Sequence, residues 1–241
     1  MSSSIEKETD VRKLGLVGGM GPESTIMYYH DIVYGVKDRL GSDAFAPLVI
    51  ESVDVSEVID RCKSKEYRAL ADYLVQAIGN LAAAGADFAA LSANTPHVVF
   101  DEVQKHSPLP LVSIVEATCR EAQRRDLTTI GLLGTIFTMA GEFFMRPFAE
   151  AGIDVVVPTE DEMAFVNDRI ANELELGIIK DETRQAFIEI ITRMKEESDI
   201  QAIVLGCTEL PLILNDGNTP VPCLDTVVIH VNELIDRIID R

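Results

Sequence analysis

Short apolar runs alternate with helix-length amphipathic stretches along nearly the whole chain, and this alternation constrains the fold more than any other feature. The apolar runs are LGLVG (14–18), 47–53, 88–92, LVSIV (111–115), TIGLLG (129–134), IDVVVP (153–158) and AIVLG (202–206). Helical spacing fills Ser24 to Arg39, Tyr67 to Ala84 before Gly85, and the stretch after LVSIV to about Arg125. It returns from about Ala140, over Glu160 to about Ser198, and over Val227 to Arg241. Strands joined by crossover-length helices pair in parallel and carry helices on both faces, so the predicted class is α/β.

An internal repeat sharpens that reading. LGLVGG (14–19) matches IGLLGT (130–135), and LSANTP (91–96) matches LGCTEL (205–210) at nearly the same offset. Two related lobes follow, each a parallel sheet flanked by helices. Ligands of open parallel sheets sit beyond the carboxyl ends of the strands, where all four matched segments fall, so the site is expected between the lobes. The expected division is a flexible tail (1–12), a first lobe from 13–111 plus 222–241, and a second lobe from 112–221.

Composition narrows the function classes. With 21 basic against 40 acidic side chains the net charge is −19, a field that repels nucleic acid and acidic membranes. No apolar stretch is long enough to span a bilayer, and the first eleven residues carry no signal-type apolar segment, so a cytoplasmic protein is expected. Cys62, Cys119, Cys207 and Cys223 show no close pairing, and the four histidines share no ligand spacing, so neither disulfides nor a metal are expected.

Four segments could carry chemistry. Gly18-Gly19-Met20-Gly21-Pro22-Glu23-Ser24-Thr25 follows a strand and opens a helix. Its glycines permit close backbone approach and the helix start offers N–H groups to a carboxylate; as a dinucleotide fingerprint it lacks the third glycine, with Ser24 in its place. Cys207 ends a strand before an expected helix start at Thr208, where a helix N-terminus would favour thiolate as nucleophile or base; a buried structural cysteine is the plain alternative. Ser92-Ala93-Asn94-Thr95-Pro96-His97 is the first-lobe counterpart, with Asn94 and Thr95 suited to a carboxylate or to simple capping. Thr135 and Thr138 occupy the matching place in the second lobe. No GxSxG is present, and a Cys207–His97 thiol hydrolase is the remaining nucleophilic reading.

GGMGPEST, SANTPH, GLLGTIFTM and GCTELP, in this order and spacing, resemble the aspartate/glutamate racemase family over nearly the whole chain from about Lys13. The resemblance implies a pyridoxal-independent, cofactor-free amino-acid racemase, an isomerase acting on aspartate or glutamate and commonly a homodimer. It implies two acid/base residues, one on each face of the substrate α-carbon, because inversion requires the new proton to arrive opposite the one removed. Cys207 matches the second-lobe acid/base. Asn94, Thr95, Thr135, Thr138, Thr208 and the Met20 backbone match the substrate-binding positions.

Two departures stand out. Ala93 occupies the place of the first-lobe acid/base and has no proton to exchange, leaving Ser92, His97 or a water as candidates. The loop Ser52-Val53-Asp54-Val55-Ser56-Glu57-Val58 lacks the arginine with which two-cysteine aspartate racemases hold a side-chain carboxylate, and Arg61 is the nearest cation. A one-cysteine site also suits a decarboxylase or isomerase of small carboxylic acids, and a non-catalytic carboxylate-binding protein is the reading from another class.

Overall fold

The computed structural model describes residues 11–41 and 44–240. The first lobe runs β1 (Leu14–Gly18), α1 (Pro22–Leu40), β2 (Leu48–Ser52), α2 (Val55–Ser64), α3 (Tyr67–Ala83), β3 (Phe88–Leu91), a 3₁₀ turn (Thr95–Val99), α4 (Phe100–His106) and β4 (Leu111–Val112). The chain continues through α5 (Ile114–Arg124), β5 (Thr129–Leu133), α6 (Ile136–Met139), α7 (Glu142–Glu150), β6 (Asp154–Val156) and α8 (Glu160–Asn172). A 3₁₀ turn (Leu174–Leu176), α9 (Asp181–Ser198), β7 (Ala202–Leu205), a 3₁₀ turn (Leu210–Leu212), β8 (Cys223–Asp225) and α10 (Thr226–Ile239) complete it.

The strands form two parallel sheets of four, ordered β2-β1-β3-β4 and β6-β5-β7-β8. The sheets share one topology, as the repeat implies. In each, the strand order reverses beside the first strand, between β1 and β3 and between β5 and β7, and a crevice opens there beyond the carboxyl ends. β1, β3 and β7 are buried along their whole length, which is why they read as continuous apolar runs.

The two faces of the first sheet are covered separately. Leu91 and Ala93 pack with α2 and α3 residues such as Val58, Leu74 and Ile78. Leu14, Leu16 and Phe88 pack with Tyr28 and Ile32 of α1 and with Val231 and Leu234 of α10. Phe144, Phe148, Phe187 and Ile191 lie in the core of the second lobe.

Several elements differ from expectation. Glu160 to Ser198 is two helices, because the chain leaves α8 through the Leu174–Leu176 turn and Gly177, whose φ of +70° suits glycine. LVSIV is strand only at Leu111–Val112; the Ser113 hydroxyl then caps α5 by accepting from the Glu116 amide. No helix starts at Thr208: residues 208–209 form a turn, and only the short 3₁₀ turn Leu210–Leu212, with Pro211 in its first turn, follows. Helix α2 and the short β8 escaped the sequence reading. Of the tail expected over residues 1–12, residues 1–10 lie outside the described residues; the Arg12 amide donates to the Ile238 carbonyl at 2.9 Å. Among the described residues no helix is long and apolar enough to cross a membrane.

Candidate functional site

The segments beyond the carboxyl ends of the two sheets meet where Thr95 Oγ1 approaches Thr135 Oγ1, and the first wall of this candidate cleft is the turn after β1. Gly19 has φ +84°, and a Cβ there would stand 2.3 Å from the Val53 carbonyl oxygen, so only glycine fits. The Gly19 amide donates to Thr25 Oγ1 at 2.9 Å, which folds the turn onto α1, and the Met20–Gly21 peptide is cis. The Ser24 hydroxyl donates to the Ser92 carbonyl at 2.9 Å and joins this turn to the end of β3. The Met20 side chain is buried in the first-lobe core, so only its backbone can line the cleft.

After β3 comes Ser92, buried on all sides, then Ala93 at 8% exposure and Asn94 at 4%. Asn94 makes no capping bond. Its Nδ2 donates to Thr226 Oγ1 at 3.1 Å, and that hydroxyl in turn donates to the Leu205 carbonyl at 2.9 Å. The orientation is therefore fixed: the hydroxyl proton is committed, so Thr226 accepts from the amide nitrogen and Asn94 Oδ1 is left as an acceptor. Oδ1 is buried without a donor, as are Ser92 Oγ and His97 Nε2. Orphaned buried polar atoms are costly, and at a cleft they mark where a ligand supplies the missing partner.

His97 is 2% exposed and stacks on Phe100 with ring centroids 4.8 Å apart. Its Nδ1 donates to the Ala93 carbonyl at 3.0 Å, so Nε2 carries the lone pair. Burial pulls its pKa down to about 4, against the bonds to the Ala93 and Asn94 backbone, and the ring is neutral at pH 7. Its one proton is spent, so it does not replace the first-lobe acid, and it forms no bond with Cys207.

The opposite wall belongs to the second lobe. Thr135 Oγ1 lies 3.5 Å from Thr95 Oγ1 and 3.3 Å from Thr138 Oγ1. The first of these contacts joins the matched segments of the two lobes. Thr135 precedes α6 without capping it, so this hydroxyl cluster is not explained as helix capping.

Cys207, 7% exposed, donates from Sγ to Glu209 Oε2 at 3.0 Å, and the Thr208 hydroxyl donates to the same oxygen at 2.7 Å. Glu209 reaches to the first lobe, its Oε1 lying 3.7 Å from where a Cβ on Gly21 would sit. Burial first, then the Glu209 charge and hydrogen bond, push the Cys207 thiol well above its ordinary pKa. This corrects the expected thiolate: the Glu209 backbone hydrogen bond lowers the pKa but does not offset burial and the carboxylate, and Cys207 is a thiol at neutral pH.

One acidic residue joins the site that the sequence reading passed over. Glu209 was visible in the GCTE string two residues beyond the cysteine. Glu175, an exposed residue of the turn after α8, gave no local signal, and its charge is the last of the causes that raise the Cys207 pKa. Arg61 is turned to other work: it pairs with the Glu57 carboxylate, donates to the Glu57 carbonyl at 3.1 Å and lies 4.9 Å over the Tyr73 ring.

A family model described as Asp/Glu/Hydantoin racemase matches residues 17–234, spanning both lobes and every cleft segment. The chain belongs to the Asp/Glu/hydantoin racemase family. By class, then, it is an isomerase. It is 24% identical over 219 residues to the Broad specificity amino-acid racemase RacX of Bacillus subtilis (strain 168), covering 88% of this chain and 92% of that protein. It is 34% identical to the structure of an aspartate racemase homologue from Pyrococcus horikoshii OT3, with a TM-score of 0.80 over 93% of this chain and 98% of that one. The structure of Picrophilus torridus aspartate racemase, 21% identical with a TM-score of 0.71 over 93% of each chain, shares the fold.

Proposed function

We propose that the protein is a cofactor-independent amino-acid racemase in which Cys207 exchanges the α-proton and Glu209 manages the thiol's own proton. The observation that carries this reading is the Cys207–Glu209 hydrogen bond at the interlobe cleft. A protonated thiol is a poor base. With a carboxylate as acceptor, its proton moves to Glu209 as sulfur removes the substrate α-proton, and the reverse transfer restores the thiol when it protonates the carbanion.

Recognition of the substrate backbone divides by hydrogen-bond type. Asn94 Oδ1, an acceptor without a donor, takes the α-ammonium. The hydroxyls of Thr95, Thr135, Thr138 and Thr208, with the backbone at Met20, take the α-carboxylate. Ala93 supplies no proton to the second face, and the His97 proton is committed, so water delivers it there. The family's expectation of a homodimer is carried forward with this reading.

Incubating each enantiomer of a panel of amino acids in heavy water tests it. The expected result is loss of the α-proton signal together with loss of optical purity, both abolished in Cys207→Ala. Absence of exchange across the panel, or exchange with full retention of configuration, overturns it.

A further inference from the structure

Resting on the assignment of Asn94 Oδ1 to the α-ammonium, we propose that Thr226 is a positioning residue that sets the specificity of the cleft. It holds the Asn94 amide in one orientation, so that α-amino acids are accepted and the corresponding 2-oxo acids are turned away.

The place of Thr226 follows from pairing in the second sheet. β8 lies beside β7 with Asp225 opposite Leu205, and the Asp225 side chain caps α10 by accepting from the amides of Val227 and Val228 at 2.9 and 3.1 Å. Thr226 is thereby the first residue of α10. A threonine within a helix commonly donates to a carbonyl of the preceding turn, and at the first position no such turn exists. Its hydroxyl, fully buried, donates instead to the carbonyl of Leu205, two residues before Cys207. The same oxygen accepts from Asn94, so one hydroxyl ties the end of β7 to the turn after β3.

That hydroxyl has a single proton, and the Leu205 carbonyl can only accept, so Thr226 faces Asn94 with a lone pair. If the amide turned over, Oδ1 would stand where Nδ2 now lies, 3.1 Å from Thr226 Oγ1, and two acceptors would meet with no proton between them. Both side chains are buried, which makes such a mismatch costly. Asn94 therefore presents Oδ1 and not Nδ2 as its unpaired atom. An α-ammonium donates to it. A 2-oxo acid keeps the carboxylate and side chain of its amino acid but carries a carbonyl oxygen in place of the ammonium, again an acceptor against an acceptor. Selectivity of this kind comes from the group left unpaired in the wrong complex.

Calorimetric binding of alanine against pyruvate and of glutamate against 2-oxoglutarate, on the parent protein and on Thr226→Val, Thr226→Ala and Thr226→Ser, tests the proposal. The parent is expected to bind each amino acid at least about 10-fold more tightly than its 2-oxo counterpart. Without the hydroxyl the amide is free to turn and offer Nδ2. The 2-oxo acids should then bind Thr226→Val and Thr226→Ala about 10-fold more tightly than they bind the parent, while the amino acids lose affinity. Thr226→Ser should keep the parent pattern. A purely structural role would weaken both classes together, so absence of any gain by the 2-oxo acids overturns the proposal. A parent that binds 2-oxo acids as tightly as amino acids overturns it as well, whether or not the variants fold. The expected preferences without α-proton exchange in heavy water support the role of Thr226 and overturn the racemase reading. Exchange without those preferences overturns the proposal and leaves that reading intact.

Discussion

At the scale of single residues, the chemistry turns on a thiol that its surroundings keep protonated. Glu209 contributes to that in two ways, through its charge and through the hydrogen bond from Sγ; Glu209→Gln removes the charge and leaves Sγ at most a neutral amide oxygen as acceptor. Two measurements should therefore move in opposite directions. Alkylation of Cys207 by iodoacetamide at pH 7.5 should be faster in Glu209→Gln, because the thiolate fraction rises as the pKa falls. Catalysed α-proton exchange should fall, by about 10² if the carboxylate acts as the thiol's base. A parallel fall in both would show that Glu209 only shapes the pocket. The missing partner can be tested by restoration: Ala93→Cys should raise racemisation by at least about 10-fold, since a positioned acid is worth more than bulk water. No gain would mean that position 93 does not reach the second face. Cys207 was legible in the sequence because a strand end and a motif both marked it. Its protonation state was not, because that depends on how deeply the fold buries the sulfur and on the Glu209 carboxylate turning back to meet it.

At the scale of elements, the turn between α8 and α9 is organised around one buried carboxylate. The hydroxyl of Thr183, with Lys180, pulls the Glu173 pKa down to about 2 against the cost of burial, and Arg169 adds to the effect. Glu173→Gln would leave Arg169 and Lys180 without their shared partner. The 174–180 segment should then exchange its amide hydrogens faster, while protection in β7 is unchanged; equal protection of 174–180 in parent and variant would show that the cluster does not hold the turn. The alternation of strands and helices was readable because parallel strands are apolar throughout and amphipathic helices are periodic. Elements below that resolution were not. β8 is three residues long and is defined by pairing with β7, and the break after α8 lies inside a sequence whose apolar spacing hardly changes.

At the scale of the whole molecule, buried histidines tie the stability of the fold to pH. His230 links three elements: Tyr28 of α1 donates to its Nδ1 at 2.7 Å, and its Nε2 donates to the Val112 carbonyl at 3.2 Å. Burial is the main cause that lowers its pKa to about 3, as it lowers that of His97 to about 4. For a group whose folded pKa lies below its unfolded value, the unfolded chain takes up protons first as pH falls, so stability is full above about pH 6.5 and declines below it. His97 alone would withdraw on the order of 3 kcal/mol by pH 4. The depressed Glu173 carboxyl adds loss below its ordinary range. Asp225 and Glu175, whose pKa values burial raises, act in the other direction because the folded chain protonates them first, while Glu121 and Glu162, held low by their arginine partners, add to the loss. The melting temperature should accordingly fall steadily from pH 6.5 to pH 4. His97→Gln and His230→Gln, whatever they cost at neutral pH, should each flatten that slope, because glutamine has no proton to gain over this range. A melting temperature that is level from pH 6.5 to 4 in the parent, or an unaltered slope in both variants, would mean that the two imidazoles are not held neutral by the fold.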